Sequence, residues 1–325
     1  MARRKDKKEN SGLIKLVVLL AILVIAFPVG AFGYVYFKLN SIHDSSADEG
    51  ILNENNFQSE KGITNILLAG TDGRPGDKSS RSDAMMILTV DTKNKSLKLT
   101  SLNRDTYVNI PGHGYQKLTH AYAYGGANLL AETIENNFEI DFQEYAVVDF
   151  YSFLDIVDAL GGVEVDVKQN EINEINKYIK LDTYKWSKDT EPMKLIEHAG
   201  VQKLNGYQTL SYARIRKNDS TQERDRRQRA VIEGLMNGVK DLPVSKYPKL
   251  LDTILPYVKT NMKPTQIIGL AGKILGIGNL SITQIEFPFA NASTSATLSG
   301  SGFVIKYTPE SLNTLHDFIF KNIIP

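Results

Sequence analysis

The sequence predicts an α/β fold, a mixed central sheet sandwiched between helices and preceded by a single N-terminal transmembrane helix. Three observations lead there. No residue between Lys15 and Lys38 carries a charge, strand-like apolar runs alternate with helical ones from Ile63 onward, and the 325 residues are 42% apolar and 23% charged. That composition can bury a core.

The first element is the run LIKLVVLLAILVIAFPVGAFGYVYFKLN. Its uncharged span covers the roughly 20 residues needed to cross the hydrocarbon as a helix. It is longer than the roughly 7–15 apolar residues of a cleaved signal, and no small-x-small cleavage site comes after it. Pro28 and Gly30 mark a place for a bend, and Tyr34, Tyr36 and Phe37 suit one membrane interface. Arg3, Arg4, Lys5, Lys7 and Lys8 precede the span, so the positive-inside rule makes residues 1–14 a cytoplasmic tail and 15–38 a signal-anchor. Residues 39–325 are then expected on the extracellular side of the cell membrane. Residues 39–62 are polar and read as a spacer. The lack of cysteine is compatible with an exported domain that uses no disulfides.

Residues 63–325 form the predicted extracellular domain. NILLAG, AMMILTVD and LKLTSLN read as strands, and the unbroken apolar character of AMMILTV suits a central strand buried on both faces. LTHAYAYGGANLLAETIENNF reads as a helix, EYAVVDF as a strand, YSFLDIVDALGG as a helix ended by glycine, and VEVDV as a short strand. A long helix is predicted from Thr221 to Leu242. Beyond it, ITQIEFPFA is strand-like and Thr308–Pro309 opens a final helix, with no place in the sheet assigned to either. No internal repeat is visible.

RIRKNDSTQERDRRQR, Arg214 to Arg229, holds seven cationic side chains against three acidic ones, whereas the whole chain has a formal charge of only +1. A broad basic excess, the mark of non-specific nucleic-acid binding, is missing, and no aromatic residues are interleaved for base stacking. Nucleic acid is therefore not the expected partner. At ~100° per residue from Thr221, Arg224, Arg227, Gln228, Val231, Leu235 and Val239 share one stripe, while Arg226 and Arg229 face the other way, toward solvent. Inward guanidiniums need internal carboxylates or an anionic ligand, and a helix N-terminus suits phosphate. The YARIR stretch alternates as a strand does, which would put Arg214 and Arg216 on one face.

Asp72 follows one strand and Asp83 precedes the next. Neighbouring strands would bring both carboxylates to one sheet edge, where they could hold a divalent cation or serve as turn residues. GTDGRPGD lacks the order of a nucleotide-phosphate loop, and no His or Cys cluster suggests zinc. His120 reads as a helix-entry or core residue, and YSFLDIVDAL as core or as the wall of a lipid channel.

NILLAGTDGR, RSDAMMILTVD, SLNRDTYVNIPG, KLTHAYAYGG, VVDFYSFLDIVDALGGVEVDV, LNGYQTLSYARIRK and ERDRRQRAV stand in the order found in the LytR-CpsA-Psr family, which this chain resembles over about residues 62–242. The resemblance implies a phosphotransferase that moves a glycopolymer, a teichoic acid or a capsular-type polysaccharide, from an undecaprenyl-pyrophosphate carrier to peptidoglycan. It also implies a phosphodiester product, a hydrophobic channel for the prenyl chain, and Mg²⁺ or Mn²⁺ as cofactor. The alternatives it leaves are a pyrophosphatase acting on such lipids and a non-catalytic envelope sensor or regulator.

Matched to the family motifs, Asp72 and Asp83 become the metal-side carboxylates. Arg81, Arg104, Lys117, Arg214, Arg216, Arg224, Arg227 and Gln228 become the pyrophosphate-binding set. Arg104, Asp83 and Arg227 are the residues expected to carry catalysis. The family's PRD appears as NRD, so Asn103 replaces proline beside the Arg104–Asp105 pair. The expected chemistry is charge stabilisation by forked arginines on phosphate oxygens, and the general base is left unassigned.

Overall fold

The computed structural model describes residues 35–41, 57–72, 80–142, 144–187, 189–215, 221–240, 258–278 and 281–325, with single positions between 243 and 253. The predicted cytoplasmic tail, residues 15–34 of the predicted membrane helix, most of the spacer and Arg216 lie outside them. Among the described residues no helix is long and apolar enough to cross a membrane. A short helical stretch at 35–40 seats Leu39 against Ile267 and Ile268.

The fold is built on one six-stranded mixed sheet. β1 (Ile63–Thr71) sits at its centre, between β2 (Ser82–Asp91), antiparallel, and β6 (Glu144–Asp149), parallel. β3 (Ser96–Leu102) continues the sheet antiparallel to β2, β9 (Val258–Thr260) closes one edge and β10 (Ile282–Phe287) the other. The run AMMILTV is a central strand as its composition dictates. Ile87 and Val90 are fully buried on opposite faces.

Each face is covered by helices. On one, Leu67, Met85 and Ile87 pack against Leu130, Ile134 and Phe138 of α1 (Thr119–Phe138) and Leu315 and Phe318 of the C-terminal helix. On the other, Ile66, Leu68, Leu88 and Val90 meet a helix at Pro264–Ile277. The same face also carries a second apolar cluster, drawn from α2 (Phe150–Ala159), α3 (Ile172–Tyr178), α4 (Gly206–Ala213), α5 (Thr221–Lys240) and the hairpin of β7 (Val163–Val167) with β8 (Gly200–Leu204). Two further hairpins pair β4 (Tyr107–Ile110) with β5 (Gly114–Lys117) and β11 (Ser293–Leu298) with β12 (Gly302–Tyr307). In chain order the helix at Pro264–Ile277 is α6 and the final one, Pro309–Lys321 with Thr308 as its N-cap, is α7.

One sequence expectation changes. The long helix is present over Thr221–Lys240, and residues 241–242 lie outside the described residues. The YARIR stretch is not a strand. Asn205 caps α4 with a full capping box to Gln208, the helix runs through Ala213, and Arg214 is its C-cap. The cap upstream fixes helical geometry before the alternating residues begin, so Arg214 ends a helix instead of lying on a strand face, and Arg216 is outside the described residues.

Buried charges on the α1 side are handled locally. Lys98, 1% exposed, bonds Asp91 at 3.0 Å and the Ile319 carbonyl at 2.9 Å. Glu135 of α1 accepts from the Phe142 amide at 3.0 Å, yet burial pushes its carboxyl up to about 7 from 4.5. The folded state therefore holds the proton more tightly than the unfolded chain does, and stability falls as pH rises from 4.5 through about 7. Glu135→Gln keeps the acceptor and removes the charge. Melting curves should show it more stable than wild type at pH 8 and equal to it near pH 4; equal melting at pH 8 would refute the assignment.

Candidate active site

The site forms where β1 and β2 end together. Their pairing runs in register to Gly70↔Ala84 and then shifts, so that Thr71 faces Ser82. Irregularities of this kind re-aim side chains at a strand end. Asp72 and Asp83 leave the sheet at this point, one after β1 and one within the start of β2. The Asp72 carboxylate accepts from the Arg81 amide at 2.6 Å, and the Asp72 amide donates to the Arg81 carbonyl at 3.1 Å.

Asp83 is the hub. It is 7% exposed. Its Oδ1 takes Nη1 of Arg104 at 2.6 Å and lies 3.8 Å from Nη2 of Arg224, and that same Nη2 donates to the Asp83 carbonyl at 2.7 Å. Two guanidiniums thus meet one carboxylate oxygen. Arg104 Nε lies 3.8 Å from Asp105, whose other oxygen accepts from Lys117 Nζ at 2.8 Å. The α1 N-terminus is tied to the same strands, with the Thr119 amide on the Arg104 carbonyl and the Thr119 hydroxyl on the Ser82 carbonyl. His120 stands one residue on. Burial first, then Arg81, Lys117 and Arg104, hold its imidazole below its ordinary pKa, so it is neutral at pH 7.

Asp83, Arg214, Arg224 and Gln228 line an open cavity of about 270 Å³ between the sheet and α2, α4 and α5. Asp149 also lines it, and the rest of its wall is apolar, including Leu68, Met86, Val148, Phe153, Ile156 and Leu235. Phe153 and Ile156 of the YSFLDIVDAL helix therefore line the cavity, while Leu154 and Val157 are core. Arg214 bonds Asp182 at 3.0 Å and lies over the Trp186 ring at 4.7 Å.

Arg227 is placed differently. It is 1% exposed, bonds Glu171 at 3.1 Å and donates to the Ile215 carbonyl at 3.1 Å. It does not line the cavity but stands behind Arg224 and Gln228 on α5. Arg226, expected to face solvent, instead bridges Glu171 and Glu223, each at 2.8 Å. Adjacent residues on a helix point about 100° apart, and the long stems of Arg226 and Arg227 close that gap onto one carboxylate. Arg229 is half-buried, with Nη1 inside. Glu171, Asp182 and Trp186 are not singled out by the sequence. The inward arginine stripe asks for an internal carboxylate, but nothing local says that it comes from the turn before α3.

The cation set, the carboxylate pair and the apolar channel occur together, and a model of the LytR_cpsA_psr family matches residues 29–308. This protein belongs to the LytR-CpsA-Psr family. The match extends beyond the seven motifs and takes in β10 to β12. The polyisoprenyl-teichoic acid–peptidoglycan teichoic acid transferase TagT of Bacillus subtilis strain 168 is 34% identical over 296 residues, 87% of this chain and 88% of its own. The solved structure of TagT bound to LI-WTA superposes with a TM-score of 0.67 at 29% identity, covering 86% of this chain and 98% of that one. A second, of the LytR-CPS2A-psr family protein YwtF (TagT) with bound octaprenyl pyrophosphate lipid, gives 0.64 at 27% identity, covering 86% and 98%. This LytR-CpsA-Psr protein is accordingly an enzyme, a transferase of the same family.

Proposed function

We propose that the protein transfers an anionic glycopolymer, a teichoic acid or a capsular-type polysaccharide, from an undecaprenyl-pyrophosphate carrier to peptidoglycan on the outer face of the membrane. The observation that carries this reading is the cavity itself. Its largely apolar wall suits a prenyl chain, and the arginines among its lining residues, Arg214 and Arg224, with Gln228 beside them, suit the pyrophosphate. The relative TagT is named for this reaction with teichoic acid.

In the proposed reaction an acceptor hydroxyl oxygen attacks the phosphorus nearer the glycan. The bond from that phosphorus to the bridging oxygen breaks, polyprenyl phosphate leaves, and the hydroxyl proton is released. The product is a phosphodiester. Arg104 and Arg224, held on one Asp83 oxygen, are fixed before the substrate arrives, so little reorganisation is needed as charge develops. Lys117, locked on Asp105, extends the positive surface toward α1. Neutral His120 adds no further cation. Arg227 orients α5 from behind through Glu171 and Ile215 rather than touching the cavity.

Asp72 and Asp83 fit a hard divalent cation by their chemistry. They are oxygen donors leaving adjacent paired strands, and Mg²⁺ commonly takes one or two carboxylates with phosphate oxygens and water. Among the described residues no group of three or more His, Cys, Asp or Glu side chains is placed to hold a metal, so water or substrate oxygens would complete the shell of such an ion. Mg²⁺ or Mn²⁺ bound there would supply charge neutralisation on the leaving phosphate.

The test is a labelled prenyl-pyrophosphate glycan incubated with the full chain, peptidoglycan fragments and Mg²⁺. Label in the acceptor is the expected result. Release of sugar phosphate alone would show a pyrophosphatase instead, and no turnover would leave the sensor reading. A second prediction concerns the channel. Val148→Trp fills part of the cavity without touching an ion pair, and should abolish saturable prenyl-pyrophosphate binding while melting stays within a few degrees of wild type. Wild-type affinity in that variant would place the lipid elsewhere.

A further inference from the structure

Next to the charged site lies a group of exposed rings for which neither the core nor the phosphate chemistry has a use. Tyr115 is 61% exposed and Tyr124 45% exposed. Both stand on well-anchored backbone. Tyr115 belongs to the β4–β5 hairpin, where Tyr107 pairs with Lys117 and Asn109 with Tyr115. Side chains two residues apart share a strand face, so Tyr107, Tyr115 and Lys117 lie on one side of the hairpin. The Tyr107 and Tyr115 ring centroids are 5.5 Å apart. Lys117 is the residue whose ammonium is tied to Asp105 beside Arg104, so the ring pair leads directly into the site.

The second pair approaches from α1. Tyr124 is one helical turn after His120, with ring centroids 6.1 Å apart, and it stacks on His113 at 4.2 Å with planes 15° apart. His113 is presented by the tight turn between β4 and β5, where Gly112 and Gly114 take φ of +75° and +68°. Just after Tyr124 the helix is interrupted. Gly125 and Gly126 leave helical geometry, and Gly126, with φ 65° and ψ −153°, occupies a region essentially closed to other residues. This break leaves Tyr124 at the end of a six-residue helical segment, Thr119–Tyr124, rather than packed along a continuous helix.

We infer that Tyr115, Tyr124 and His113 form a carbohydrate platform that holds pyranose rings of the acceptor glycan against the phosphate-transfer site. This rests on the proposed transfer reaction. Aromatic faces carry negative potential, and the axial C–H groups of a pyranose present the complementary positive one. The rings are flat and exposed, which suits a neutral sugar face better than an anion. They adjoin Lys117 and His120, so a sugar stacked there carries its hydroxyls toward Arg104 and Asp83. The surface is otherwise poorly suited to a lipid, since among the described residues of these elements no large aliphatic side chain is exposed.

The experiment titrates the full chain in detergent with peptide-free glycan oligosaccharides prepared from peptidoglycan, by calorimetry, and measures transfer kinetics in parallel. Tyr115→Ala and Tyr124→Ala should each raise the oligosaccharide Kd and the acceptor KM roughly five- to tenfold, with kcat and donor KM unchanged. Tyr124→Phe and Tyr115→Trp should bind as wild type, and unchanged donor affinity shows that the alanine variants are folded. Failure of the wild type to bind oligosaccharide overturns the inference, as does wild-type binding by both alanine variants, or a preference of the tyrosines for phosphatidylglycerol vesicles over glycan. If glycan binds, and is lost in the alanine variants, but no transfer occurs, the platform stands and the transferase reading fails. If transfer occurs with an unchanged acceptor KM in those variants, the platform alone fails.

Discussion

Asp83→Asn is expected to lower transfer turnover by about 10²- to 10³-fold, the range seen when a preorganised charge-stabilising group is removed. The substitution keeps shape and an acceptor oxygen but cancels the charge that holds Nη1 of Arg104 at 2.6 Å. Arg224 is held differently, because its Nη2 donates to the backbone carbonyl of residue 83, which the substitution leaves in place. The variant should therefore retain one of its two arginines in position and misplace the other. Arg104 is 27% exposed, so its guanidinium is solvated when released, but the buried Arg224 loses a neighbouring charge, and a stability loss of about 1–3 kcal/mol is expected as well. Single-turnover transfer with a melting curve separates the two effects. A variant that transfers at the wild-type rate would remove Asp83 from the mechanism.

Glu171→Ala should act through stability. Glu171 is 4% exposed, bonds Arg226 at 2.8 Å and the nearly inaccessible Arg227 at 3.1 Å, and its other oxygen accepts from the Lys168 amide at 2.9 Å. Deleting one member of a buried pair strands the other charge and typically costs about 3–5 kcal/mol. For a domain of this size that corresponds to a fall in Tm of roughly 6–15 °C. Arg227→Met, which leaves Glu171 still paired with Arg226, should cost less. Urea unfolding of both variants checks the order, and a Glu171→Ala variant as stable as wild type would show that the pair contributes nothing.

Much of the site is legible in the sequence because it depends on local pattern. Asp72 and Asp83 sit beside two strand-like runs, which points to one sheet edge, and the antiparallel pairing of β1 with β2 puts them there. The burial of Arg224 and Arg227 follows from helical angle alone, and both are inside. What each buried arginine meets is not legible. Arg224 reaches Asp83 and Arg227 reaches Glu171, contacts spanning many tens of residues that only the packing of α5 creates. Helical angle misplaces Arg226 because it ignores the reach of a long side chain. A short alternating window misplaces Arg214 because it omits the cap upstream. The placement of β10 against β3 is also hidden, since a parallel edge pairing between distant segments leaves no mark on either segment.

That edge pairing governs how the chain can be made. β3 is synthesised well before its neighbour β10 and the α7 carbonyl that receives the Lys98 ammonium. Until then the sheet has a raw border and an internal lysine lacks part of its cradle. The amino-terminal motifs, complete as a text, are incomplete as an object. The sheet border and the lysine's cradle are complete only with β10 and α7 in place, and a protein shortened after residue 242 would carry an open, self-adhesive edge.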